Sequence, residues 1–277
     1  MNAYARPTSL DAALALLGEG PRQILAGGTD LYPAAGQRLA GPVLDLAGIA
    51  DLRGISLSQQ GGLRIGACTP WTEIAETALP PACRALQQAA RQVGGRQIQN
   101  LGTLGGNLCN ASPAADGVPP LLALEAMVEL AGPSGRRDLP LADFIVGPRQ
   151  TARSAQELLI AIRIPPEGLR GTSAFLKLGA RAYLVISIAM VAVRVVMQGD
   201  RIGSASLAVG ACAATARRLP GVEAAIAGMS VEQAAAEVTE ALVSPGLSPI
   251  DDVRASAAYR QRAAAELLRR ALREAVA

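Results

Sequence analysis

Between Asn100 and Asp116 the chain reads Asn-Leu-Gly-Thr-Leu-Gly-Gly-Asn-Leu-Cys-Asn-Ala-Ser-Pro-Ala-Ala-Asp, a stretch from which bulky side chains are nearly absent. Backbone this bare permits close approach, by another segment of the protein or by a ligand. Gly102, Gly105 and Gly106 carry no Cβ, so positive φ is open to them, and their N–H groups are expected to converge as an anion-accepting nest. Thr103, Asn107, Asn110 and Ser112 add neutral hydrogen-bonding side chains. No Lys or Arg falls between Arg96 and Arg136. An anion held here is therefore expected to rest on backbone dipoles and hydroxyls rather than on opposite charge, which suits a buried diphosphate. A glycine-rich turn capped by Asn and Ser side chains, with no ligand, satisfies the same residues.

At 277 residues the chain is longer than the usual single domain, so two domains, or one domain in lobes, are expected. Histidine is absent, which removes Ser-His-Asp and Cys-His catalysis, His-ligated metals and a flavin attached through histidine. Any redox chemistry must then come from a bound cofactor. Cys68, Cys83, Cys109 and Cys212 form no CxxC element for zinc or an iron–sulfur cluster, and are expected to be reduced and mostly buried. A net charge of +3 without a basic block points to neither nucleic acid nor an anionic membrane. The opening carries no secretory pattern. The longest uncharged apolar run, Ala182 to Val193, is about half of the ~20 residues a membrane-spanning helix needs. A cytoplasmic protein without a membrane span is expected.

Along the chain, Thr8 or Ser9 caps a helix that Gly18 ends. A strand from Gln23 to Ala26 runs into a second glycine loop, Gly27-Gly28-Thr29-Asp30, placed before a short helix. Strands are expected at 42–46, 62–67, 127–130 and 157–165, and helices at 71–78, 82–93 and 119–124. Pro165 to Gly171 reads as a domain boundary. Beyond it, strands at 173–177, 186–197 and 202–209 form a three-stranded sheet covered by Ala-rich helices, the last from Ala255 to Ala275. Its five arginines, set against Leu267, Leu268 and Leu272, read as the solvated face of a core helix.

Seven motifs in order make the chain resemble the FAD-binding medium subunits of molybdenum hydroxylases, the group that includes carbon monoxide dehydrogenase, nicotine and nicotinate dehydrogenases and the flavin domain of xanthine dehydrogenase. They are Arg6-Pro-Thr-Ser-Leu, Ala26-Gly-Gly-Thr-Asp-Leu, Leu63-Arg-Ile-Gly-Ala, Asn100-Leu-Gly-Thr-Leu-Gly-Gly-Asn, Ala111-Ser-Pro-Ala-Ala-Asp, Glu157-Leu-Leu and Phe175-Leu-Lys-Leu-Gly-Ala-Arg. The resemblance implies an α+β fold of the vanillyl-alcohol-oxidase and molybdenum-hydroxylase flavoprotein type. It has a two-lobed FAD-binding domain at 1–168, with lobes of about 1–56 and 57–168, and a smaller C-terminal α/β domain at 169–277. It also implies site roles. Leu25, Ala26, Gly27, Gly28, Thr29, Asp30 and Leu31 wrap the diphosphate. Gly102, Thr103, Gly106 and Asn107 form a second clamp, Asp116 accepts hydrogen bonds from sugar hydroxyls or caps the next helix, Leu159 is an apolar wall, and Lys177 is the cation near the flavin head. No catalytic side chain and no metal ligand is implied on this chain. The implied partners are a small subunit with [2Fe–2S] clusters and a large molybdopterin subunit, assembled as a dimer of heterotrimers.

Lys177 also stands out by composition, since it is the only lysine among the 26 basic residues. A compact ammonium and a planar guanidinium are not equivalent, so a site that accepts only lysine is one explanation; an ordinary solvated lysine is the other. Some family members carry an acidic residue after the position of Arg181, where this chain has Ala182-Tyr183; that leaves the electron acceptor open and makes Tyr183 a candidate to approach the ring. The function implied is electron transfer through FAD to an external acceptor. A self-contained FAD oxidoreductase and a non-catalytic nucleotide-binding protein remain as rivals. The first of these lacks a histidine to serve as general base.

Overall fold

The computed structural model describes residues 4–36, 39–58 and 60–277; the first three residues of the opening read for a leader lie outside them. Strand β1 (Tyr4–Ala5) leads to α1 (Leu10–Gly18), whose cap Ser9 accepts the Ala12 N–H as expected. Next come β2 (Gln23–Leu25), the short α2 (Leu31–Ala34) and β3 (Val43–Asp45), and the three strands pair in parallel in the order β1-β3-β2. Then follow β4 (Ile55–Leu57), β5 (Leu63–Gly66), α3 (Trp71–Glu76), α4 (Arg84–Gln92), α5 (Arg96–Leu101), α6 (Leu104–Asn110) and α7 (Val118–Ala123). Strands β6 (Met127–Gly132) and β7 (Gly135–Pro140) form a hairpin; α8 (Leu141–Phe144) and the small β8 (Ile145–Gly147) and β9 (Gln150–Thr151) lead to β10 (Leu158–Ile164). The second sheet runs β4-β5-β10-β6-β7, all antiparallel. Its central strand β10 is a near-continuous apolar run because both its faces are covered.

The C-terminal part is built from β11 (Thr172–Leu178), β12 (Ala189–Gln198), β13 (Arg201–Gly210) and a two-residue β14 (Arg217–Arg218), followed by α9 (Pro220–Ile226), α10 (Val231–Glu237), α11 (Glu240–Val243) and α12 (Ala257–Val276). The three expected strands are present, and β14 extends the antiparallel sheet to four. From Ala189 to Val195 every residue of β12 is buried, since α12 covers one face while Phe175, Met190 and Ala192 pack with Ala85 and Ala89 of α4 on the other. Arg194 ties this sheet to the preceding part. Its guanidinium donates to the Ala123 carbonyl at 2.7 Å, the Glu167 carbonyl at 2.9 Å and the Glu125 carboxylate at 2.8 Å.

The glycine stretch departs from expectation. Gly102, Gly105 and Gly106 do not take positive φ: Gly102 ends α5 at φ −62 and the other two lie inside α6. Their N–H groups are already in use, Gly102 donating to the Ile98 carbonyl at 2.6 Å, Gly105 to that of Ala67 at 2.8 Å and Gly106 to Thr103 Oγ1 at 3.0 Å. Close approach is what the glycines permit. A Cβ on Gly105 would stand 2.7 Å from the Ala67 carbonyl oxygen.

Candidate functional site

The nest forms at the first loop instead. Between β2 and α2, Gly28 takes φ +71, and among the described residues no protein acceptor receives the N–H groups of Gly27, Gly28, Thr29, Asp30 or Leu31. Successive unpaired N–H groups around a positive-φ glycine make an anion-accepting concavity. The two glycine stretches touch. A Cβ on Gly27 would overlap the Leu101 carbonyl, and one on Gly102 would stand 3.3 Å from Thr29 Oγ1. Trp71, fully buried behind them, donates its backbone N–H to the Gly102 carbonyl at 3.1 Å.

Together they border a cavity of about 930 Å³, at the upper end of the range for ligand pockets. Ala26, Gly27, Gly28, Thr29, Asp30 and Leu31 line it from one side, Gly102, Thr103, Gly106 and Asn107 from another, and Asp116, Leu159 and Lys177 complete it. Leu25 is the one candidate that does not line it; its side chain is buried behind Gly28. Tyr183 does not line it either and is 80% exposed, while the neighbouring Leu184, Val185, Ile186 and Ser187 do.

At one end lies a buried ion pair, Lys177 Nζ to Asp116 Oδ2 at 2.6 Å, with the two side chains 7% and 9% exposed. Ser187, which the sequence reading missed, donates to Asp116 Oδ1 at 2.7 Å. Burial pushes the Asp116 carboxyl up from its ordinary value, and the Lys177 ammonium and Ser187 hydroxyl pull it part of the way back. With one protein donor on each oxygen, the carboxylate is fixed in orientation and keeps acceptor capacity for hydroxyls in the cavity. Ser187 sits in an unremarkable run, Val185-Ile-Ser-Ile188, so only the fold reveals it.

The cavity also carries charge that sequence distance concealed. Arg22, Arg149 and Arg153 line it, brought in from positions far from the glycine stretch, so the expectation of an uncharged anion site is corrected. Arg149 takes φ +61 and donates to the Asn110 carbonyl at 3.2 Å and to the Asn110 side-chain oxygen. Cys109, against the expectation of buried cysteines, is exposed and lines the cavity, and the protein crowded around its sulfur pushes the thiol up to about 11. Cys83 and Cys212 are buried, Cys68 is partly so, and all four are free thiols.

The residues fit a large ligand that carries an anion for the open N–H nest and polar groups for the Asp116–Lys177 pair. Three buried polar atoms on the lining, Arg22 Nη1, Gln23 Oε1 and Asn107 Oδ1, have no partner among the described residues. At Gly106 a Cβ would meet only Thr103 Oγ1, at 2.9 Å, so this position leaves room on the cavity side.

Comparison with known proteins accounts for that fit. Residues 1–167 match the FAD binding domain in molybdopterin dehydrogenase, and residues 174–275 match the CO dehydrogenase flavoprotein C-terminal domain. The chain is 30% identical to the xanthine dehydrogenase FAD-binding subunit of Escherichia coli, over 99% of this chain and 96% of that one. It is 34% identical to the nicotine 6-hydroxylase medium subunit of Paenarthrobacter nicotinovorans, over 98% and 96%. A chain of the reconstituted CO dehydrogenase from Oligotropha carboxidovorans superposes with a TM-score of 0.89 at 32% identity, over 98% and 96%. The chain therefore belongs to the family of FAD-binding subunits of molybdopterin dehydrogenases, and is an oxidoreductase component of the xanthine and CO dehydrogenase type.

Proposed function

We propose that this chain holds FAD in the cavity and passes electrons from the [2Fe–2S] clusters of a small partner subunit to an external acceptor, while substrate hydroxylation occurs on a large molybdopterin subunit. The observation that carries this reading is the meeting of the two glycine stretches on one cavity with an open N–H nest and unpartnered polar atoms. FAD supplies two-electron redox chemistry that no side chain of this histidine-free chain offers. The N–H groups of Gly27 to Leu31 hold the diphosphate, with Leu25 bracing the loop from behind. Gly106 leaves room for it, and Thr103 and Asn107 bond phosphate or ribityl oxygens. Asp116, held by Ser187, accepts from sugar hydroxyls; Lys177 stands at the flavin head; Leu159 forms an apolar wall. The chain divides at about residue 168 into a two-lobed FAD-binding domain and a C-terminal domain, a reading supported by large hydrophobic clusters that fall almost wholly on one side of that point, with a small cluster of Ala85, Ala89, Ala123, Phe175, Met190 and Ala192 joining the two. It works in the cytoplasm, within a dimer of heterotrimers.

Co-expression with genes for an iron–sulfur and a molybdopterin subunit tests this. A complex of the three with one FAD per copy of this chain is expected. The isolated chain should bind FAD and be reduced by dithionite, yet leave aldehydes, purines and N-heterocycles untouched. Turnover by the isolated chain at about one per second or faster would overturn the reading.

A further inference from the structure

Asp116, Lys177 and Ser187 reach the cavity from separate stretches of chain, and one residue outside the lining is tied to the backbone beside each of them. Arg260 of α12 is buried and does not line the cavity. Its Nη1 donates to the Ile188 carbonyl at 2.6 Å and to the Ala211 carbonyl at 3.1 Å. Ile188 directly follows Ser187, and its own N–H donates at 2.8 Å to the carbonyl of Leu178, the residue after Lys177. The Ala211 N–H donates at 3.0 Å to the carbonyl of Pro113, in the short loop that leads to Asp116. The guanidinium is itself held from outside, Nη2 donating to Asp252 Oδ1 at 2.6 Å, and that carboxylate accepts the Arg254 N–H at 2.8 Å. Two features at this point are costly. Arg260 Nε is buried without a partner among the described residues, and Ala211 takes φ +60, where an alanine is strained. A planar guanidinium serves two carbonyls and a carboxylate at once, which the point charge of a lysine does not reproduce.

We propose that Arg260 is a positioning residue for the cofactor: through Ile188 and Ala211 it holds Asp116, Lys177 and Ser187 in register, so that the C-terminal domain completes the site. This rests on the reading of the cavity as an FAD site, with Asp116 on sugar hydroxyls and Lys177 at the flavin head. Lys177 donates to Asp116 Oδ2 and Ser187 to Oδ1, so a shift of either donor turns the carboxylate that the ligand must meet. Arg260 acts only through these groups. Fixing them before the ligand arrives spares their ordering cost on binding. It also keeps the ammonium at one place beside the ring, where it favours the anionic reduced flavin.

The test is a double-mutant cycle on the flavin-free full chain, titrated with FAD and followed by flavin fluorescence, for the wild type, Arg260→Lys, Asp116→Asn and the double variant. Loss of a charged hydrogen bond corresponds to a drop of roughly tenfold or more. FAD affinity is expected to fall by that much in each single variant. The double variant should bind within about twofold of Asp116→Asn, since residues that act as one unit do not add. The potential of the bound flavin should also fall in Arg260→Lys, a readout that loss of core packing alone does not move. Should Arg260→Lys fail to fold, Asp252→Asn, which frees Nη2 and leaves Nη1 in place, runs the same cycle with a smaller loss expected. Losses that multiply in the double variant overturn the positioning role and leave the FAD site intact. So does a lowered thermal midpoint with wild-type affinity and potential. A wild-type chain that binds no FAD overturns the site itself.

Discussion

Single atoms decide most of what this cavity does. Gly106→Val should abolish FAD binding while the chain stays folded, because a Cβ here crowds Thr103 Oγ1, on the same cavity lining, at 2.9 Å and meets no other packed element. Flavin absorbance after purification, with circular dichroism as control, checks this. Gly27→Ala should instead lower the thermal midpoint, since its Cβ would overlap the Leu101 backbone and force the two glycine stretches apart. The sequence pointed to Gly106 for the wrong reason, since positive φ belongs to Gly28, while Gly27 and Gly105 are small because backbone packs against them. Lys177→Met leaves Asp116 buried without its cation, a change costing about 3–5 kcal/mol when a buried pair is broken. It should also lower the flavin potential, because the lost ammonium and the unbalanced carboxylate both disfavour an anionic reduced ring; each ~1.4 kcal/mol is about 30 mV for a two-electron couple. A spectroelectrochemical titration reads that shift, and Lys177→Met with Asp116→Asn should recover most of the lost stability.

Among the elements, those with an apolar period were legible and those without one were not. Strand β10 and helices α1, α3, α4 and α12 appear where the pattern placed them, within a few residues. Strand β7 was missed because it is an edge strand reading Gly-Arg-Arg-Asp-Leu-Pro, whose charges guard an open edge and erase the alternation a strand shows. It matters all the same: Arg137 on β7 clasps Glu157 at the start of β10, at 2.6 and 2.9 Å. That contact holds the Glu157 carboxyl down at about 2. Because the folded value lies below the unfolded value of ~4.3, the stabilisation is present in full above that pH and is lost as pH falls towards 2. The thermal midpoint should therefore be flat from neutrality to about pH 5 and fall below it, and Glu157→Gln should flatten the fall. A second joint between elements is Arg194. Arg194→Met should destabilise by roughly 1–3 kcal/mol, since the carbonyls of Ala123, Glu167 and Arg170 lose their buried donor; chemical denaturation measures it.

For the molecule as a whole, the exposed apolar residues are where contact with partner subunits is to be tested. Leu101, Leu184 and Ile186 stand exposed around the cavity rim, and Ile250 and Val253 form a separate exposed pair before α12. Leu101→Asp should weaken assembly with the partner subunits, measured by co-purification, and leave FAD content unchanged. Seven ordered motifs made the family readable from sequence, but Arg22, Gln23, Ser187 and the rim arginines could not be found there, because their neighbours are set by folding across long stretches of chain. Arg260 of α12 shows how long. It donates to the Ile188 carbonyl at 2.6 Å, one residue beyond the Ser187 that holds Asp116, and to Asp252 at 2.6 Å. A cavity lined by residues from Arg22 to Ser187 is thus braced from outside its lining by α12. A truncation that removes α12 and spares every residue lining the cavity is therefore expected to hold less flavin than the full chain, read as flavin absorbance per protein.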